Sequence, residues 1–265
     1  MLVASHSTRR LISSRTASCA LGSVRGAAVW VITVLRGSGV PDDTGALSPV
    51  TTSGHDGRVT RPPPSTVVFD LGGVLLRWDP HRAFHDVLEP GDVQPFLDEV
   101  DFHAWNHVHD SGGRFVDGVA ALTERFPHRA AAIAAYPRNQ HLTVTGQMDE
   151  PVEVVDALDR AGVRLLALTN WSAETFPWAR ATFPVLQRFE GIVVSGEEGV
   201  AKPDPRLYGV LIDRYGLSPA DTVFVDDRQV NVDAACGVGL LGLLFVDAAT
   251  LRADLWRLGL LVVGD

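Results

Sequence analysis

The feature that most constrains this chain is a set of short apolar runs that stop abruptly at polar residues. Thr66-Val67-Val68-Phe69 runs into Asp70, Leu165-Leu166-Ala167-Leu168 into Thr169-Asn170, and Thr222-Val223-Phe224-Val225 into Asp226-Asp227. Runs this short and this apolar suit strands buried on both faces. Strand patterns cover Arg164–Thr169, Gly191–Val194, Thr222–Asp226 and Leu240–Val246, and helical patterns cover Pro151–Ala161, Ala173–Ala181, Pro205–Tyr215 and Asn231–Cys236. Alternation of short strand and longer helix predicts an α/β fold with a parallel sheet and helices on both faces.

Two stretches break the alternation. Asp79–Met148 has almost no strand signal, and Pro80–Leu88, Val93–Val108, Phe115–Phe126 and Arg129–Tyr136 all have helical patterns. It reads as a helical insert after the first core strand, over the carboxyl ends of the strands, where open α/β sheets bind ligands. Asp79-Pro80 is placed as its hinge or first helix cap. Residues 1–64 are rich in Ser, Thr, Gly and Pro and end in Arg61-Pro62-Pro63-Pro64. They are expected to be a disordered extension or the product of a mis-assigned start. Four arginines ahead of the apolar Ala27–Leu35 weakly resemble a targeting signal, without a clean Ala-x-Ala cleavage site. The expected division is therefore 1–64 extension, 65–77 and 149–265 catalytic core, and 78–148 helical cap.

Composition narrows the partners. The 265 residues carry 23 basic and 32 acidic side chains, a net charge of −9. A binder of phosphate backbones is usually basic, so nucleic acid is not expected as a partner. No apolar run is long enough for a membrane span, so no membrane partner is expected. Cys19 and Cys236 fit neither a disulfide framework nor a thiolate metal site. A cytoplasmic monomer or homodimer acting on a small molecule is the expectation. Among the 23 basic residues only Lys202 is a lysine.

Parallel neighbours would bring the three polar strand ends to one edge of the sheet. Carboxylates gathered there repel one another unless a cation or a shared proton compensates. A hard divalent ion such as Mg²⁺ suits an oxygen site of this kind. Any one strand-end aspartate is equally a turn former or helix cap; three coincident ends are harder to read that way. Lys202 lies in the loop Gly199–Pro205, next to Pro203. Such a lysine is ordinarily a solvated surface residue, yet here it is positioned to neutralise both an aspartate and a bound anion.

Four segments taken together resemble the haloacid dehalogenase-like (HAD) hydrolase superfamily. They are Val68-Phe69-Asp70-Leu71-Gly72-Gly73-Val74-Leu75, then Leu168-Thr169-Asn170, then Lys202-Pro203, then Val225-Asp226-Asp227-Arg228-Gln229-Val230-Asn231. The resemblance covers about residues 66–247 and implies a Rossmannoid core with a C1-type cap, in the glucose-1-phosphatase-like and 2-haloacid dehalogenase-like branch. It implies that Asp70 is a nucleophile forming an aspartyl-phosphate, and that Mg²⁺ is held by Asp70, the Gly72 carbonyl and the pair Asp226-Asp227, with Asp227 the better direct ligand. It also implies that Thr169 and the Asn170 amide bind phosphate, that Lys202 holds the phosphoryl oxygens and Asp70, and that Asn231 supports the metal site. The implied activity is a Mg²⁺-dependent phosphatase acting on a small phosphorylated metabolite, a sugar phosphate among the options. An anionic nucleophile reaches an anionic phosphate only where positive charge and donors screen the repulsion.

One position departs from the family. Many of its phosphatases carry a second aspartate two residues after the nucleophile as general acid and base, and this chain has Gly72. The options are a good leaving group, a proton from the cap (His107, His109 or Asp110) or from water, or a substrate that is not a phosphate. In the last case Asp70 would attack carbon, as in a 2-haloacid dehalogenase, which needs no acid; the intact Asp226-Asp227 pair argues for the metal-dependent reaction instead. A non-enzymatic binding protein on this fold is the third reading, and the surviving nucleophile, lysine and metal pair count against it. In the cap, Trp105, His109 and Arg114 are candidate substrate contacts, or else packing and capping residues. Trp171 is a candidate pocket wall, or else core. His103 and His107 lack the intervening Glu of a zinc helix.

Overall fold

The computed structural model describes residues 20–24, 27–31 and 62–262. Strands β1 (Ala20–Val24) and β2 (Ala27–Val31) pair antiparallel. Otherwise the expectations for residues 1–61 lie outside the described residues.

The core sheet has five parallel strands: β3 (Thr66–Phe69), β6 (Arg164–Thr169), β7 (Gly191–Val194), β8 (Thr222–Asp226) and β9 (Leu241–Leu244), in the order β7-β6-β3-β8-β9. β3 is central and buried along its whole length. Helices α5 (Asp149–Arg160), α6 (Phe176–Thr182), α8 (Pro205–Tyr215), α9 (Gln229–Gly237) and α10 (Ala248–Arg257) flank the sheet, and the single turn α7 (Ser195–Glu198) follows β7. Two apolar clusters follow from the period-2 alternation of β3. Val67 and Phe69 pack with Val154, Leu158 and Leu255 on one face, and Val68 packs with Leu207, Leu211 and Phe224 on the other. This is the expected Rossmannoid architecture.

The chain leaves β3 at Asp70, turns at Leu71–Leu75 and enters β4 (Leu76–Trp78), which pairs antiparallel with β5 (Val144–Gln147). This ladder is the stem of the insert. The insert between its strands is helical: α1 (Pro90–Glu99), α2 (Phe102–Asp110), α3 (Phe115–Arg125) and α4 (Ala130–Asn139), with a 3₁₀ turn at Pro80–Phe84. The side chain of Asp79 accepts a hydrogen bond from the His81 amide and so caps that turn. The helix read from Val93 to Val108 is broken in two, because Asp101 adopts a left-handed conformation with φ 51°. Aspartate is among the few non-glycine residues that tolerate this conformation.

The cap has its own aromatic core. Phe84 meets Phe96 edge-on at 5.1 Å, and Phe102 meets Tyr136 edge-on at 4.9 Å. Trp105 meets His109 edge-on at 4.9 Å, and His109 stacks on Phe115 at 4.3 Å. Among the contacts between cap and core, two involve the turn before α3 and its first residue. The Phe115 amide donates to Glu174 Oε1 at 2.8 Å, which gives the start of α3 an anionic partner from the loop after β6. Gly112, at φ +93°, is close enough to the core that a Cβ on it would lie 3.1 Å from the Gly199 Cα.

The His109 ring leaves no room at Gly118, where a Cβ would collide with Cε1 and lie 2.6 Å from Nε2. Gly118→Ala is therefore expected to destabilise the protein by about 1–3 kcal/mol through overpacking. Denaturant unfolding measures this, and an unchanged midpoint would contradict the packing described.

Candidate active site

Register assembles the site. Phe69 pairs with Ala167 on one side and with Val225 on the other, so Asp70 comes level with Leu168 and Asp226. The Asp70 amide donates to the Val225 carbonyl at 2.8 Å, continuing the ladder by one residue. Lys202 rises into this row from the loop before α8 and is 1% exposed. Its Nζ contacts Asp70 Oδ1 at 2.9 Å, Asp226 Oδ2 at 2.7 Å and the Leu168 carbonyl at 2.8 Å. An ammonium has three protons and here has three acceptors. Burial works against its charge, but Asp70 and then Asp226 outweigh burial and hold its pKa above the usual lysine value.

The neighbours of this triad fix its geometry. The side chain of Asn170 clamps the Lys202 backbone from both sides, Nδ2 donating to the carbonyl at 2.9 Å and Oδ1 accepting from the amide at 2.8 Å. Asp226 also accepts from the Arg228 amide at 2.9 Å and from Asn231 Nδ2 at 2.9 and 3.1 Å. Asp70 Oδ1 also accepts from the Leu71 amide at 2.7 Å, while Oδ2 takes no hydrogen bond among the described residues. Burial first, and then the Asp226 charge, push the Asp70 carboxyl up to about 7 against the opposing pull of Lys202.

Asp70, Asp226 and Asp227 can each offer a carboxylate oxygen within 4.8 Å of the others. Asp226 is fully buried and engaged with Lys202 and Asn231, whereas Asp227 is exposed at the cleft floor. The Asp227 carboxylate lies against Gly73, where a Cβ would sit 2.8 Å from its Cγ; this position and φ +78° both require glycine. Three carboxylates against one ammonium leave a net negative, oxygen-only pocket, a donor set that fits a hard divalent cation such as Mg²⁺.

A cavity of about 840 Å³ opens above these groups, between core and cap. Asp70, Gly72, Thr169, Asn170, Trp171 and Asp227 line its floor, with Lys202 and Asp226 behind. A Cβ at Gly72 would meet nothing within 4 Å. Trp171 lines the cavity and donates its indole N–H to Thr175 Oγ1 at 3.1 Å.

The other aromatic and basic cap candidates lie elsewhere. Trp105 is buried and donates to the Gly118 carbonyl at 3.1 Å; His109 is fully buried, with Nδ1 3.2 Å from the Gly113 carbonyl. Arg114 precedes α3 and does not line the cavity. The cap wall is instead formed by His103, Asn106, His107 and Asp110 of α2, with Tyr136 and Gln140 beyond them. The α2 residues recur at i, i+3, i+4 and i+7, opposite the buried Phe102, Trp105 and His109, so one polar helix stripe carried the signal. Gln140 is 6% exposed and its Oε1 has no hydrogen-bond partner among the described residues. Burial pushes the Asp110 carboxyl up to about 7.

A family model described as haloacid dehalogenase-like hydrolase matches residues 64–239. The chain belongs to the HAD-like hydrolases. Its match to the sesquiterpene phosphatase astK of Aspergillus oryzae is 28% identical over 198 residues, covering 72% of this chain and 94% of that protein. A phosphatase of Mycobacterium tuberculosis is 25% identical over 213 residues, covering 76% and 97% of the two chains. Several other curated relatives are matched over less than half of their own length. A HAD-family enzyme of Bacteroides thetaiotaomicron, solved with magnesium and inorganic phosphate, shares the fold at a TM-score of 0.54 and 20% identity, covering 68% of this chain and 93% of that one. The HAD-like hydrolase described here has no helix among its described residues long and apolar enough to cross a membrane.

Lys202→Met keeps an unbranched stem of similar length but leaves two buried carboxylates without their cation. It is expected to lower the unfolding free energy by about 3–5 kcal/mol. Equilibrium urea unfolding of the purified variant tests this, and a loss below about 1 kcal/mol would show that the triad is not electrostatically coupled.

Proposed function

We propose that this HAD-like hydrolase is a Mg²⁺-dependent phosphatase that cleaves a small phosphorylated metabolite through an aspartyl-phosphate on Asp70. The observation that carries the reading is the row Asp70–Lys202–Asp226 beside Asp227 at the floor of a large cavity. Lys202 and the Leu71 amide hold Oδ1 of Asp70, which leaves Oδ2 to attack phosphorus. Thr169 and the Asn170 amide, at the end of β6, are assigned to the phosphoryl oxygens. Asp70, the Gly72 carbonyl and Asp227 would hold the metal, with Asp226 orienting Lys202 behind them. Bound Mg²⁺ supplies positive charge to the transferring phosphoryl group. The two relatives matched over nearly their full length are named as phosphatases, which supports the same reading.

The substrate's organic part belongs in the cap cavity. Trp78, Phe115 and Val144 give it apolar surface, and Asn106 and Gln140 give it hydrogen-bonding groups. A phosphate ester with a partly apolar body fits these walls. Dehalogenation would suit Gly72, since a halide leaves without a proton. Two further carboxylates beside Asp70 favour the reaction that uses a cation.

Phosphate release from an aryl phosphate is expected to require Mg²⁺, to stop with a chelator, and to be abolished by Asp70→Asn in a folded protein. Halide release from a 2-haloacid without metal would overturn the assignment. Below about pH 7 a proton on Asp70 competes with the cation. Mg²⁺ affinity should therefore rise with pH through that value and level off above it. Calorimetry is expected to show roughly tenfold weaker binding near pH 6 than near pH 8, and equal affinities would remove Asp70 from the metal site.

A further inference from the structure

We propose that Asp110, on cap helix α2, is the acid that protonates the leaving alcohol and the base that then receives a proton from the attacking water. The assignment rests on the phosphatase reading of Asp70. Gly72 has no side chain, and the space its Cβ would enter is open cavity, so the loop after β3 offers no proton donor beside the nucleophile. A side-chain donor therefore has to come from another wall.

The titratable groups on those walls are few. Asp227 lies against Gly73 on the cation side. Tyr136 gives its hydroxyl proton to Asn106 Oδ1 at 2.7 Å. His103 and His107 also line the cavity, but both are exposed. Asp110 is half-buried, lines the same cavity as Asp70, and has no ion-pair partner among the described residues. The hydrogen bond from Tyr136 fixes the Asn106 amide with its nitrogen outward, and Asn106 Nδ2 donates to Asp110 Oδ2 at 2.9 Å. That relay pins one oxygen of Asp110 and leaves Oδ1 for the substrate. Burial without a neighbouring cation keeps the carboxyl protonated up to about pH 7, the state an acid must start from.

The balance is as follows. Asp70 Oδ2 bonds to phosphorus, and the bond from phosphorus to the ester oxygen breaks. The electron pair goes to that oxygen, which takes the Asp110 proton and leaves as the alcohol. Water then attacks phosphorus and gives a proton to the Asp110 carboxylate. The bond from phosphorus to Asp70 breaks with its pair returning to the carboxylate, and inorganic phosphate departs.

The test compares p-nitrophenyl phosphate, whose leaving group needs little protonation, with phenethyl phosphate, whose alkoxide needs it. Asp110→Asn is expected to cut phenethyl turnover by about 10²–10⁴-fold and p-nitrophenyl turnover by less than about tenfold. The ratio of the two rates does not depend on the folded fraction, so a partly unfolded variant still decides the matter. Adding Gly72→Asp to Asp110→Asn should restore phenethyl turnover at least tenfold, and His107→Ala should leave the ratio unchanged. Equal losses on both esters, no loss, or a ratio that shifts in His107→Ala instead would overturn the role of Asp110. Wild-type protein with Mg²⁺ that releases phosphate from neither ester, or Asp70→Asn that releases it normally, would overturn the phosphatase reading itself.

Discussion

A single buried ammonium holds the strand ends together. Lys202 gives its three protons to Asp70, Asp226 and the Leu168 carbonyl, which come from three adjacent strands at one level of the sheet. Only parallel strands in this register present their ends as a row, so the charge geometry is a direct product of topology. An arginine could not take the same place, because its planar fork does not match three converging acceptors. This chain uses arginine at every other basic position. Asn170 holds the lysine backbone and Asn231 holds Asp226, so two amides keep both ends of the ion pair in place. Asp227 remains outside the network and faces the cleft.

The cap is a second apolar unit whose packing decides which residues reach the cleft. In α2, Phe102, Trp105 and His109 enter the aromatic core, which turns His103, Asn106, His107 and Asp110 toward the cavity. Burying a neutral imidazole between Trp105 and Phe115 withdraws His109 from chemistry, and burial holds its pKa below the usual histidine value. The same helix thus supplies structure on one side and reactive groups on the other.

The core was legible in the sequence because its signals are local. β6, β7 and β8 follow their apolar runs, and α8 is bounded by Asp204, which accepts from the Arg206 amide, and by Gly216 at φ 60°. Family motifs then singled out Asp70, Lys202 and the Asp226-Asp227 pair. The β4–β5 stem was not legible: its strands have 3 and 4 residues, and each finds its partner only across the whole insert. The break at Asp101 depends on one backbone angle, which residue type permits but does not dictate. Trp105 and His109 stood out as chemically interesting side chains, but burial depends on tertiary packing. The polar stripe of α2 was visible in its spacing, and only the cavity gives it a meaning.

The meeting of Gly112 with Gly199 gives the cap a mechanical link to the charge centre. Gly199 is the turn that ends Ser195–Glu198, and Lys202 follows it by three residues. With no side chain on either surface, the tip of α2 bears directly on the backbone that carries the ammonium. Any larger residue at 112 would act as a shim, lifting the roof of the cleft and loading the turn beneath it. The closeness of the lid to that turn is thus set by one pair of touching backbones, three residues from the lysine that Asn170 holds.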